Sequence, residues 1–166
     1  MKPQLLFTLK NISFISIINL LFGQDEESMH YILDNIYLGD VSAAENEDYL
    51  KSFNISLVIN CAIDYISDYK DLKALELKLY DYDGEVLFPK FEYAYKIIKQ
   101  YQKTNILIHC MAGVSRSASL VIFYIMKEKK WDYDKSFEYV QKIRTFIGPN
   151  FSFIDQLREY YDRYIK

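Results

Sequence analysis

From Tyr31 onward the chain alternates between short apolar runs and longer stretches in which apolar residues recur every three or four positions. Tyr31-Ile32-Leu33 and Ile36-Tyr37-Leu38-Gly39 flank Asp34-Asn35, a turn pair, and predict two short strands. Leu57-Val58-Ile59-Asn60-Cys61 and Asn105-Ile106-Leu107-Ile108-His109 are nearly unbroken apolar runs of strand length, which predict buried strands. Residues 75–79 alternate and predict a further strand, broken by Asp81, Asp83 and Gly84. Helices are expected over 42–52, 90–102, 116–130, 134–146 and 151–165, with Gly148-Pro149 separating the last two. The 116–130 segment is apolar on most faces and belongs at the centre. Strands alternating with helices predict an α/β fold: a central mixed, mostly parallel sheet of about five strands flanked by helices.

The first residues break this pattern. Leu5 to Phe22 is mostly apolar, with Lys2 before it and Gln24-Asp25-Glu26-Glu27 after it, but Lys10, Asn11, Ser13, Ser16 and Asn19 make it a poor membrane span. Thr8, Asn11, Ser16 and Asn19 fall near helical spacing and form a narrow polar stripe. Three readings stay open: a helix packed on the domain or lying on a membrane surface through residues 5–22, a targeting signal, or a disordered or misassigned start. The expected division is an apolar extension over 1–28 and one domain over 29–166.

Composition agrees with a single domain. The chain has 166 residues, half of them apolar, with sixteen tyrosines and eleven phenylalanines, which argues for a real core and against disorder. A net charge of −3 leaves no basic footprint for nucleic acid. Asn11-Ile12-Ser13 and Asn54-Ile55-Ser56 fit the glycosylation sequon, a triplet that also arises by chance. Two cysteines, Cys61 and Cys110, do not make a disulfide framework in a chain this long. They read as reduced thiols, in keeping with a cytoplasmic location.

The chemistry gathers in His109-Cys110-Met111-Ala112-Gly113-Val114-Ser115-Arg116-Ser117, between a buried strand and a buried helix. Cys110 stands at the carboxyl end of the strand, where α/β sheets bind ligands. The residues from Met111 to Ser115 can wrap the backbone once around a tetrahedral anion, and the amides of such a loop make an anion-binding nest. Gly113 allows a positive φ or a close backbone approach. The helix starting near Arg116 adds its dipole and orphan N–H groups, and the guanidinium can fork onto two phosphate oxygens. The same surroundings can draw a thiol pKa to between ~3.5 and ~7.5, raising the thiolate fraction roughly 30-fold. Fixed amides and an arginine also meet the charge that spreads over the equatorial oxygens in phosphoryl transfer, so neither metal nor cofactor is required.

This string resembles the His-Cys-x5-Arg-Ser signature of cysteine-dependent protein phosphatases, and in detail the dual-specificity branch. The resemblance runs from about Tyr31 to Tyr164 and takes in IYLGD, LVINCA, SASLVIFYIMKEK and GPNFSFIDQL. It implies that Cys110 is the nucleophile and phosphocysteine intermediate, that Arg116 binds the phosphate, and that Ser117 donates to the departing thiolate. The backbone of Met111, Ala112, Gly113, Val114, Ser115 and Arg116 would form the cradle. His109 would shape the loop, and Asn150 would act as a structural tie before the last helix. Cys61 reads first as a core thiol, with pairing to an oxidised Cys110 as the sharper alternative.

In this family an aspartate on a neighbouring loop usually serves as general acid. Counting forward from the strand at Leu77-Lys78-Leu79 favours Asp83, while counting back from Phe91 favours Asp81. Asp83 is the first candidate and Asp81 the alternative. Met111 to Ser115 are neutral, whereas relatives acting on inositol phospholipids tend to carry lysines or arginines there. The resemblance therefore implies a small, catalytic-domain-only, monomeric phosphatase acting on phosphotyrosine and phosphoserine or phosphothreonine in proteins. A phosphatase for a non-protein ester such as a phospholipid, and a phosphate-reading binding module, are the alternatives.

Overall fold

The computed structural model describes residues 28–166. The expectations placed on the apolar N-terminal segment and on the Asn11 triplet lie outside the described residues.

Five strands form one sheet in the order β1-β2-β5-β3-β4. They are β1 (Met29–Leu33), β2 (Ile36–Gly39), β3 (Ile55–Ala62), β4 (Lys73–Leu79) and β5 (Asn105–His109). β1 and β2 pair antiparallel through the expected Asp34-Asn35 turn, where Asp34 takes a φ of 51°. β2, β5, β3 and β4 all run parallel. β3 and β5 occupy the centre, and their inward alternation feeds two cores. Leu57, Ile59, Cys61, Ile106 and Ile108 face the larger one, whereas Val58 and Leu107 face the smaller. Covering both faces is what an unbroken apolar strand requires.

The larger face carries α3 (Phe88–Ile98), α4 (Arg116–Lys129), α5 (Tyr133–Ile143) and α6 (Phe151–Tyr160). Every residue of α4 from Arg116 to Met126 is buried, as its nearly all-round apolar pattern requires. The smaller face carries α1 (Val41–Ala44) and α2 (Glu47–Ser52). One helix was expected over this span. It divides because Asp40 caps one start, accepting from the amides of Ser42 and Ala43, and Asn46 caps a second, accepting from Tyr49. The expected 151–165 helix also changes character, passing into a π turn at Tyr161–Ile165. Among the described residues, no helix is long and apolar enough to cross a membrane.

One irregularity in the sheet sets up the site. Between the pairs Asn60–Glu76 and Ala62–Leu79, β4 carries one residue more than β3. Lys78 takes up the excess in the left-handed region, with a φ of 53°. Such a bulge re-aims the end of a strand. Here it returns Leu79 to the core and sends the chain out toward the carboxyl end of β5.

Candidate active site

The segment from Cys110 to Ser115 leaves β5 and turns into α4 with each of its carbonyls held from outside. Cys110 accepts from His109 Nδ1 (3.2 Å), and Met111 from the amide of Val41 (3.1 Å). Ala112 and Gly113 accept from the Arg144 guanidinium, at 3.3 Å to Nη2 and 3.1 Å to Nε. Val114 accepts from the amide of Gly148 (2.9 Å), and Ser115 from both the amide and the hydroxyl of Ser119. In a planar trans peptide the C=O and the following N–H point in opposite directions. Outward carbonyls therefore turn the loop's amides inward, where those from Met111 to Ser115 donate to nothing among the described residues. That is an anion nest built before any anion arrives.

Gly113 makes this curvature possible. Its φ is 65°, and a Cβ there would lie 2.5 Å from the Gly39 carbonyl oxygen and 2.6 Å from Arg144 Nη2. Arg144 itself is fully buried and also meets His30 Nδ1 at 3.0 Å and an Asp40 carboxylate oxygen at 3.6 Å. Neither Arg144 nor Asp40 was singled out from sequence. Arg144 reaches the loop from about thirty residues downstream and meets Asp40 across more than a hundred, separations that no local pattern carries.

Cys110 is 2% exposed, and the hydroxyl of Ser117 lies 3.1 Å from its sulfur. His109 is buried, and burial holds its imidazole pKa below the usual value, partly offset by the hydrogen bond at Cys110. A carbonyl only accepts, so Nδ1 carries the proton and Nε2 is the bare nitrogen. Nε2 has no partner among the described residues. Cys61 lies on β3, with burial pushing its thiol well up and the charge of Cys110 adding to the effect, so it rests as a protonated core thiol.

Arg116 begins α4 with its guanidinium mostly buried. Nη1 donates to Asp64 (2.8 Å) and to the Leu79 carbonyl (3.3 Å), and Nε lies 3.9 Å from Asp81 Oδ2. Burial acts to lower its pKa, but the hydrogen bond to Asp64 and the charges of Cys110, Asp64 and Asp81 more than offset this and hold it above its ordinary value.

The two candidate acids are placed apart. Asp81 Oδ1 accepts from the Ser115 hydroxyl and from Asn150 Nδ2, both at 2.8 Å. Its carboxylate lines a cavity of about 360 Å³ together with Cys110, Met111, Ala112, Ser115, Arg116 and Asn150. Asp83 instead lines a neighbouring cavity of about 350 Å³ with Phe151, Asp155 and Glu159. Of the two, Asp81 is the one that shares a cavity with Cys110 and Arg116, while Tyr80 N donates to Glu85 Oε2 (2.9 Å) and closes a tight loop with Asp83-Gly84 at its outer end. Asn150 caps α6 through Phe153 N, and its own amide reaches the Ser115 hydroxyl at 3.2 Å. A larger depression of about 750 Å³ over α1 and α2 is lined by Ser42, Glu45, Glu47, Asp48, Lys51 and Lys70 and has no cysteine in its lining.

Known proteins with this arrangement are numerous. Residues 36–163 match the family described as dual specificity phosphatase, catalytic domain. The chain is 36% identical over 140 residues to tyrosine-protein phosphatase vhp-1 of Caenorhabditis elegans, covering 81% of this chain and 21% of that protein. It is 34% identical over 145 residues to human protein phosphatase Slingshot homolog 1, covering 85% of this chain and 14% of that protein. The chain therefore spans only about a seventh to a fifth of these two relatives' own length. Among solved structures, the human tyrosine phosphatase-like serine/threonine/tyrosine-interacting protein superposes with a TM-score of 0.77 at 30% identity, covering 83% of this chain and 98% of that one. With a matching family over most of its length, the same sheet and helices, and the signature loop folded around an inward-facing set of amides, this chain belongs to the dual-specificity phosphatase catalytic-domain family.

Proposed function

We propose that this protein hydrolyses phosphotyrosine and phosphoserine or phosphothreonine in protein substrates through a phosphocysteine intermediate, with Asp81 as the general acid. The observation that carries this reading is the convergence of Cys110, Arg116 and Asp81 on one small cavity whose loop amides are free to bind an anion.

The steps follow from the placement of the groups. The Cys110 sulfur attacks phosphorus, and the bond to the ester oxygen breaks. Both donors to Asp81 sit on Oδ1, so Oδ2, which faces Arg116, is the oxygen left to carry a proton to the leaving alkoxide or phenoxide. Water then attacks the phosphocysteine, the Asp81 carboxylate takes its proton, and the S–P bond breaks. The Ser117 hydroxyl at 3.1 Å supports the thiolate released in that step. The neutral side chains from Met111 to Ser115 favour a single phosphate over a polyanionic headgroup. A reducing cytoplasmic setting and a monomeric state belong to the same reading.

The test is hydrolysis of a phosphotyrosine peptide, a substrate with a poor leaving group, by the purified protein. Cys110→Ser should lower kcat by at least ~10³-fold, and Asp81→Asn by about 10²-fold with loss of the basic limb of the pH profile. Asp83→Asn should stay within about threefold of wild type, as expected of a residue outside the reaction. Equal silence of wild type and Cys110→Ser on this peptide would leave the chain a phosphate-reading module. Turnover of phosphoinositide vesicles exceeding that of the peptide would move the substrate to lipid.

A further inference from the structure

Arg116 has five N–H donors in a rigid plane, and only some of them can face a phosphate. The two hydrogens on Nη1 are already taken, one by Asp64 Oδ1 at 2.8 Å and the other by the Leu79 carbonyl at 3.3 Å. Nε is buried with no hydrogen-bond partner among the described residues. The edge formed by Nε and Nη2 is thus the one left for an incoming anion. Two acceptors on one nitrogen fix both the position and the rotation of the guanidinium, which a single contact would not do.

The position of Asp64 is itself built. Asn60, fully buried at the end of β3, bends the chain beyond the strand by accepting from Ala62 N (2.8 Å) and donating to the Tyr65 carbonyl (2.7 Å). The same side-chain amide donates to Glu76 Oε2 at 2.6 Å, and Glu76 Oε1 accepts from Ser67 N. Ile63 N donates to the Leu79 carbonyl at 3.3 Å, and the Tyr65 ring meets the His109 ring edge-on at 5.6 Å. The residues on either side of Asp64 are therefore tied to β4 and to the signature loop. The other carboxylate facing the guanidinium, Asp81, lies 3.9 Å from Nε, on the side where the anion would enter.

We infer that Asp64 is a positioning residue for oxyanion binding: it holds Arg116 by Nη1 so that the Nε–Nη2 edge faces the phosphate. This rests on the proposed function for its substrate, but the positioning itself can be read without turnover. A carboxylate so close to the site has two opposite possible effects. As a clamp it raises affinity by pre-ordering the fork. As a rival anion it would lower affinity by competing for the guanidinium. Nη1 is bonded away from the cavity and its partner loop is anchored at Ile63 and Tyr65, which favours the clamp.

The experiment measures tungstate binding by calorimetry in wild type, Asp64→Ala and Asp64→Asn, beside phosphopeptide kinetics and thermal unfolding. Asp64→Ala should weaken tungstate about tenfold and lower kcat/KM by a similar or larger factor, with Tm nearly unchanged, because the Asp64 side chain is half exposed. Asp64→Asn keeps an acceptor oxygen for Nη1 and should return tungstate affinity to within about threefold of wild type. Tungstate binding by Asp64→Ala as tight as wild type, or tighter, overturns the inference, and so does Asp64→Asn binding as weakly as Asp64→Ala. A wild type that binds tungstate but does not turn over phosphopeptide would sink the proposed function and leave the role of Asp64 readable.

Discussion

Six consecutive carbonyls, from Cys110 to Ser115, face away from the cavity, and a single arginine holds two of them. At the scale of residues, the anion nest is therefore made from behind. Gly113 is where that arrangement is least tolerant, since any Cβ collides with backbone at Gly39 and with Arg144 while φ stays positive. Gly113→Ala should lower kcat/KM by at least ~100-fold while costing only about 1–3 kcal/mol of stability, the usual scale of a strained backbone position. Steady-state kinetics beside urea unfolding separates the two effects. The sequence made the loop legible because its residues are contiguous and their spacing has a physical reason. It did not reveal Arg144, Asp40 or Asp64, whose contacts come from distant segments. It left Asp83 and Asp81 as rival candidates because two counts across the short loop after β4 disagree, and the fold sets Asp81 in the cavity with Cys110.

At the scale of elements, the helices on the large face are joined by a polar cluster inside an aromatic shell. Lys127, in the charged run Lys127-Glu128-Lys129-Lys130 near the end of α4, is largely covered. Its Nζ lies 2.6 Å from Glu92 Oε2 and 4.2 Å from the centre of the Tyr95 ring, with Phe123 and Tyr160 beyond. Tyr160 also donates to Glu92, and Glu128 takes the Tyr95 hydroxyl and Lys99. The helical period placed Lys127 at the end of α4, but the partners come from α3 and α6, which periodicity within one helix cannot show. Lys127→Met keeps the stem and removes the charge, leaving Glu92 half-buried without its cation. It should cost about 1–2 kcal/mol, with coupling to Glu92→Gln of at least about 0.5 kcal/mol in a double-mutant cycle.

For the molecule as a whole, the order of strands and helices was legible because the two buried runs and the apolar α4 leave few other packings, and both cores form where the alternation of β3 and β5 directs them. Global stability carries the mark of the site. Burial keeps His109 neutral in the folded state, so the unfolded chain binds more protons once pH falls below the unperturbed value near ~6.5. Stability should then decline as pH drops through that point and level off below the folded pKa. Urea midpoints between pH 7.5 and 5.5 measure this slope, and a His109 imidazole resonance that titrates at an ordinary pH would contradict it. The tight loop from Tyr80 to Glu85 carries a further consequence. Glu85 closes it at Tyr80, Ser152 grips the Asp83 carbonyl, and Gln156 grips the Glu85 carbonyl. The proposed proton donor is thus welded to the scaffold at both shoulders and does not ride on a lid, so the substrate meets a finished reaction chamber, and selectivity rests on what can reach its floor.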